Sequence, residues 1–360
     1  MENRPLNFAL VGCGRISYKH IEAVGKIPQY ARIIAVCDLD EAKARAKGEE
    51  IGAKWYTDYH AMMKAHPELD VVSVCVPTGY HARVVIDLST YGKHLITEKP
   101  MALSVADCDA MLKACQKSGS QLFVIYQNRY NPPVQAARRA LEAGRLGKLV
   151  AVTVRVRWSR DQRYYEQDNW HGTWELDGGV MSQQASHHLD LLQWFLGDIE
   201  ALNCRSATRL LDIEVEDTGV AILQGKSGAL GVFEATVATR PGDLEGSLSI
   251  LGEKGSIVIN GFAVNELHVW KFKEPLPEDD GIRENVSQAV PNVYGHGHAP
   301  YLRDIVHYLR TGEKSPTLVT PEEGLKNIAL LTALYESAAR GGESVAPGVE
   351  TVKTKLGKKS

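Results

Sequence analysis

Short β-branched runs alternate with helix-period segments along the first 125 residues, the pattern of a parallel sheet covered by helices on both faces. NFALVG (7 to 12), RIIAVCD (32 to 38), DVVSVCV (70 to 76), KHLITEK (93 to 99) and QLFVIYQ (121 to 127) predict strands, with helices beginning near Ile16, Asp40, Tyr59, His81 and Ser104. Each interval is long enough for the crossover that parallel neighbours need. After Asn128 the pattern changes. Positions 132 to 144 read as a helix ending at Gly144, and LVAVTVRVRWS (149 to 159) as a long alternating strand. Residues 160 to 181, rich in Arg, Tyr, Trp and Gly, predict a structured loop, and a helix over 182 to 196 follows Gly178-Gly179. Beyond Leu202, the runs TGVAILQ, GALGVFEATVA, EGSLSILG, GSIVIN and ELHVWKF predict a largely antiparallel sheet with an open face. Two mostly apolar helices are expected near 299 to 311 and 321 to 339.

The turn after the first strand carries the first candidate chemistry. Gly12, Gly14, Arg15 and Ile16 form Gly-x-Gly-x-Ile, with Ser17 where a three-glycine fingerprint has its last small residue. One glycine permits the tight turn and the next lets backbone approach a pyrophosphate at a helix N-terminus. Asp38 ends the second strand 24 residues after Gly14. Its carboxylate suits ribose hydroxyls and repels a 2′-phosphate, which favours NAD over NADP; read alone it is equally an acidic cap. Pro77, Thr78 and His81 open the helix after the third of these strands, at the strand end where open α/β sheets bind ligands; Thr78 is also a candidate cap.

The chain is therefore expected to be α/β: a Rossmann domain over 1–127, then an α+β domain with a large, mainly antiparallel open sheet over 128–345. Its late helices are free to pack back on the first domain, and 346–360 reads as a flexible basic tail. With 360 residues, 44% apolar and 24% charged, the chain can bury two cores. A net charge of −3 offers no general attraction for nucleic acid or an anionic membrane. The six cysteines show neither metal-site pairing nor disulfide density. The polar start MENRPLN and the lack of a long apolar run point to a cytoplasmic protein with no membrane partner.

At Glu98-Lys99-Pro100 the chain resembles the glucose–fructose oxidoreductase, inositol dehydrogenase and MocA family, which carries these motifs in this order. The resemblance covers most of the chain, through YQNRYNPP (126 to 133) and Gly178 to Asp190. Trp170-His171-Gly172-Thr173-Trp174, Gln183 to Asp190 and Val293-Tyr294-Gly295-His296-Gly297-His298 are similar to the subgroup of bacterial oxidases that act on UDP-N-acetyl-2-amino-2-deoxy-D-glucuronate at C3. The resemblance implies NAD-dependent oxidation of a sugar secondary alcohol to a ketone, within nucleotide-sugar and surface-polysaccharide (lipopolysaccharide, O-antigen) biosynthesis. It implies a homotetramer joined through the open sheet, and in some relatives NADH is reoxidised by 2-oxoglutarate. Lys99 is then the residue that touches substrate and nicotinamide, and His187 the histidine beside it. Relatives carry an aspartate four residues before that histidine, where this chain has Gln183, which cannot take a proton as a carboxylate does.

The residues read the same way on their own spacing. Gln183 and His187, four apart, share a helix face with Asp190 three further on, while His188 turns roughly 100° away toward a structural role. Asp190 supports either the helix or a neighbouring charge. Either Lys99 or His187 takes the hydroxyl proton. Arg157, Arg160 and Arg163 are candidates for the substrate carboxylate and diphosphate. Trp170, His171 and Tyr294 are candidates for the sugar pocket, and Glu98 and Arg129 accompany the cofactor. Neither His187-His188-Asp190 nor His296-x-His298 has a coordination pattern, so no metal is expected. Two other readings are an inositol or simple-sugar dehydrogenase and a non-catalytic NAD-binding regulator.

Overall fold

Strand runs without polar alternation need cover on both faces, and the N-terminal sheet has it. The computed structural model describes residues 4–290, 292–348 and 354–359. It begins β1 (Leu6–Val11), α1 (Ser17–Gly25), β2 (Ala31–Cys37), α2 (Glu41–Ile51), β3 (Lys54–Tyr56), α3 (Tyr59–Ala65), β4 (Val71–Val74), α4 (His81–Ser89), β5 (His94–Thr97), α5 (Val105–Ser118) and β6 (Leu122–Val124). The five expected strands all form, each shorter than or offset from its apolar run. β3, only three residues long, is an addition that periodicity could not signal. The strands are parallel in the order β3-β2-β1-β4-β5-β6. That order reverses at β1 and β4, the switch point where such sheets open toward a ligand. Phe8, Leu10, Val36, Val72 and Leu95 are wholly buried in the sheet.

The chain continues with α6 (Pro132–Glu142), β7 (Leu149–Arg157), α7 (Gln162–Glu166), a single π-helical turn (Val180–Gln184), α8 (Ser186–Leu196), β8 (Ile199–Ala207), β9 (Thr218–Gly225), β10 (Leu230–Thr236), β11 (Glu245–Gly252), β12 (Gly255–Asn260) and β13 (Glu266–Phe272). It closes with α9 (Ile282–Val286), α10 (His298–Thr311) and α11 (Pro321–Ala339). The second sheet runs β13-β12-β11-β7-β10-β9-β8; β7 and β10 are parallel and the other neighbours antiparallel, so it is mixed but largely antiparallel as expected. Val152, Val154 and Val156 bury on the face that α8 covers, and Thr153, Arg155 and Arg157 alternate to the other. On that open face Val220, Ile222, Leu230 and Leu251 are exposed.

Three expectations change. The single helix over 182–196 is a π turn followed by α8, and the loop over 160–181 contains α7. Part of the expected tail, 349–353 and 360, lies outside the described residues. Residues 354–359 are docked, with Leu356 buried and the Gly357 N–H donating to the Trp174 carbonyl at 2.8 Å. Finally, the chain divides into one unit of residues 1–102, 106–125 and 298–325, and another of 103–105, 126–297 and 326–360. Residues 298–325 thus group with the first unit, the alternative left open for the late helices, and α10 buries Tyr301, Leu302, Ile305 and Val306 there. The Tyr301 hydroxyl donates to the Val124 carbonyl, and Tyr308 meets Phe123 edge-on at 5.9 Å. Among the described residues, no helix is long and apolar enough to cross a membrane.

Candidate active site

The turn after β1 is built around backbone that a side chain would obstruct. Gly12 has φ +100°, and a Cβ there would lie 2.5 Å from the Cys75 carbonyl oxygen; a Cβ on Gly14 would meet nothing. Gly12 is thus demanded by the approach of the strand beside it, while the chain at Gly14 is open to a ligand. Ser17, in place of a third glycine, closes the turn by donating its hydroxyl to the Gly14 carbonyl at 2.7 Å. The Asp38 carboxylate accepts from the N–H groups of Cys13 (2.7 Å) and Asp40 (2.9 Å), which orients it and leaves lone pairs for ribose hydroxyls. These features fit a dinucleotide, with its pyrophosphate at the start of α1. Arg15 is exposed, Ile16 and Pro77 are half-buried, and Thr78 is buried in the turn after β4, where it forms no side-chain cap to α4.

His81 was expected at the cofactor and is held by backbone on both sides. Its ring is buried and lies with Nδ1 3.0 Å from the Pro100 carbonyl and Nε2 2.9 Å from the Val76 carbonyl. Burial lowers its pKa, so the neutral ring donates to one of these two carbonyls and ties the turn after β4 to the one after β5. His81 thus acts as a strut between the two turns.

Glu98 heads a buried charge cluster. Its Oε1 lies 2.8 Å from His20 Nε2 and 3.7 Å from His298 Nε2, and its Oε2 accepts the Lys99 N–H at 3.2 Å. Burial opposes charge on both partners. Even so, Cys75 and Glu98 push His20 up to about 10, and the two imidazoles hold the Glu98 carboxyl well below its usual range. Burial keeps His298 lowered. Glu98 was expected beside the cofactor; its pairing with His20 and His298 was not expected. The available signal was a histidine on the buried side of α1. Lys99 itself is half-buried, at a cis bond to Pro100.

In the other unit, His187 lies on α8, 7% exposed, with its ring edge-on to Tyr126 at 5.8 Å; the Tyr126 hydroxyl donates to Asn327 at 2.9 Å. Gln183 precedes it in the π turn, a geometry frequent at functional sites. His188 is structural as expected: fully buried against Trp158, and lowered to about 3 by burial. Asp190 settles on the neighbouring-charge alternative, gripping Arg129 through Nε (2.8 Å) and Nη2 (2.7 Å). Arg129, expected beside the cofactor, is thus one half of a buried ion pair, its guanidinium also 4.7 Å from the Trp194 ring.

Arg157 was expected at the substrate. Strand alternation sends it to the open sheet face, where it binds Glu234 at 2.6 Å and Glu245 at 3.2 Å, away from α8. Arg160 reaches Asp243 at 3.0 Å, and Arg163 is exposed on α7. Trp170 stacks on His171 at 3.7 Å, His171 Nδ1 meets Asp168 at 2.8 Å, and Tyr164 accepts from Gln184 at 3.0 Å. The aromatic segment is thereby linked to the π turn. Tyr294 is half-buried, its N–H donating to Asn292. Among the described residues, no cluster of three or more His, Cys, Asp or Glu is arranged to hold a metal ion.

Residues 6–126 match the oxidoreductase family's NAD-binding Rossmann fold, and residues 138–346 match its C-terminal alpha/beta domain. The WlbA dehydrogenase from Bordetella pertussis, solved in complex with NADH and UDP-GlcNAcA, is 40% identical over 96% of this chain and 98% of its own, with a TM-score of 0.89. The WlbA dehydrogenase from Chromobacterium violaceum, solved with the same two ligands, is 40% identical over 97% of this chain and 98% of its own, also at 0.89. The myo-inositol 2-dehydrogenase of Thermotoga maritima is 29% identical over 92% of this chain and 96% of its own. With the glycine turn, Asp38 and both family domains in place, this chain belongs to the Gfo/Idh/MocA oxidoreductase family and is an NAD-dependent enzyme.

Proposed function

We propose that the chain oxidises the C3 hydroxyl of UDP-N-acetyl-2-amino-2-deoxy-D-glucuronate to the 3-keto sugar. The observation that carries this reading is 40% identity sustained over 96% of the chain to a dehydrogenase holding NADH and UDP-GlcNAcA. The inositol dehydrogenase stands at 29%. NAD, when bound, accepts the hydride. The Gly12–Ile16 turn is assigned to the pyrophosphate, Asp38 to the adenosine ribose, and Pro77 and Thr78 to the edge of the same ligand. Lys99 polarises the C3 oxygen, and either Lys99 or His187 takes its proton; Gln183 orients a neighbouring hydroxyl without joining the proton transfer. Arg160, Arg163, Trp170, His171 and Tyr294 are assigned to the substrate. A ketone at C3 suits a following step that installs an amine at that carbon.

The reading extends to a homotetramer joined through the exposed apolar positions of the open sheet, and to 2-oxoglutarate as the reoxidant of NADH. The test is NADH formation from NAD and this UDP-sugar, with and without 2-oxoglutarate, while the sugar is followed by mass spectrometry. Loss of two hydrogens from the sugar is expected. Product beyond the supplied NAD only with 2-oxoglutarate would establish recycling. An NAD-binding protein that leaves the sugar unchanged would overturn the substrate assignment and direct the search to inositols and simple sugars.

A further inference from the structure

The π turn that carries Gln183 and leads into His187 begins with three backbone N–H groups, and all three end on two residues remote in sequence. Gly179 N–H donates to the Tyr335 hydroxyl oxygen at 3.1 Å, Val180 N–H to the Glu216 carbonyl at 3.0 Å, and Met181 N–H to Glu216 Oε1 at 3.0 Å. The Tyr335 hydroxyl in turn donates to Glu216 Oε1 at 2.9 Å. Helical segments leave their first N–H groups unpaired, and here they are met by a buried carboxyl, the backbone carbonyl of the same residue and a buried phenol rather than by a local cap. The fit is close: a Cβ on Gly179 would fall 2.2 Å from the Glu216 carboxyl. Glu216 is 4% and Tyr335 5% exposed, and Glu216 Oε2 meets no hydrogen-bond partner among the described residues. Burying a carboxyl with one oxygen unmet is costly, so its retention calls for a role.

We propose that Glu216 and Tyr335 are positioning residues for the sugar oxidation: they receive the leading N–H groups of the π turn and so hold Gln183 and His187 in register with the substrate. The inference rests on the role given to His187 above. Burial raises the Glu216 pKa to about 7, against the lowering effect of the Met181 N–H. The titratable groups facing the pair are Asp217 beside Glu216, Tyr165 on α7, Cys204 on β8, and Asp177 in the turn ahead of Gly178. The ionised carboxylate accepts charge-assisted hydrogen bonds, so the latch tightens as pH rises through that value.

Full-length wild type, Glu216→Ala, Glu216→Gln and Tyr335→Phe decide the matter in two assays. Hydrogen exchange of the segment 179–187 needs no substrate: it should accelerate in Glu216→Ala and Tyr335→Phe and recover in Glu216→Gln, which keeps an acceptor oxygen. In sugar oxidation, kcat should fall about 10- to 100-fold in Glu216→Ala, with KM and NADH affinity within about twofold. Wild-type kcat should rise through an ionisation near pH 7 that Glu216→Gln lacks. A folded Glu216→Ala with wild-type exchange and kcat overturns the proposal. If Glu216→Ala does not fold, Tyr335→Phe, which removes a single oxygen, decides on the same two readouts. A wild type that does not oxidise the UDP-sugar sinks the substrate reading alone, and the exchange data still decide the latch.

Discussion

Lys99 is the side chain on which the proposed chemistry depends most. Lys99→Ala is expected to lower turnover by about 10²- to 10⁴-fold, with NADH affinity from fluorescence titration close to wild type. Normal steady-state turnover would remove lysine from the mechanism. His20 makes a separate prediction about stability. Its pKa rises from 6.5 to about 10 in the folded chain, because Cys75 and the Glu98 carboxylate outweigh the effect of burial. A base raised on folding stabilises fully below its unfolded pKa and loses that contribution as pH rises through the folded one. The thermal midpoint should therefore fall between pH 7 and 10, and His20→Gln should flatten that limb in calorimetry at stepped pH. At neutral pH the substitution takes the charged partner from a buried carboxylate, at a cost of about 3–5 kcal/mol. The cluster escaped a reading of the sequence because its members are far apart in the chain, His20 and Glu98 by 78 residues, and only the sheet brings them together.

At the scale of elements, local signals were the legible ones. The glycine turn and the long helices α10 and α11 have short-range physical causes, and they stand where their patterns placed them. The π turn was hidden, since it shifts the hydrogen-bond ladder by one residue without leaving a mark in the residue types around it. The partners of Arg157 were hidden for a different reason. Its residue type suits an anion, but only the pairing of β7 with β10 and β11 reveals Glu234 and Glu245 beside it. The turn after β1 makes the sharpest prediction at this scale. Gly12→Ala puts a methyl group into the Cys75 carbonyl at a positive φ, and the turn should cost about 1–3 kcal/mol in stability and lose most NAD affinity. Equilibrium denaturation and NADH titration of the same variant would check both, and unchanged affinity would show that the turn tolerates the shift.

At the scale of the whole molecule, the open face of the second sheet carries exposed apolar residues. Val220, Ile222, Leu230 and Leu251 lie exposed around the ion pairs of Arg155 and Arg157 with Glu234 and Glu245. In the proposed homotetramer, this apolar patch set among paired charges is the contact surface. Ile222→Asp should lower the mass measured by light scattering toward that of the single chain while leaving the monomer fold intact by circular dichroism. An unchanged mass would place the contact elsewhere.

The first unit, finally, is discontinuous, since 298–325 returns to it after the whole of the second sheet has been made. Tyr301 and Tyr308 on α10 complete the surface of β6 at Val124 and Phe123. During synthesis, then, the ribosome delivers the nucleotide-binding half unfinished and supplies its last helix only near the end. Cutting the gene after codon 125 yields a piece with an uncovered apolar flank, whereas a circular permutant that fuses 298–325 ahead of residue 4 could fold that half without waiting.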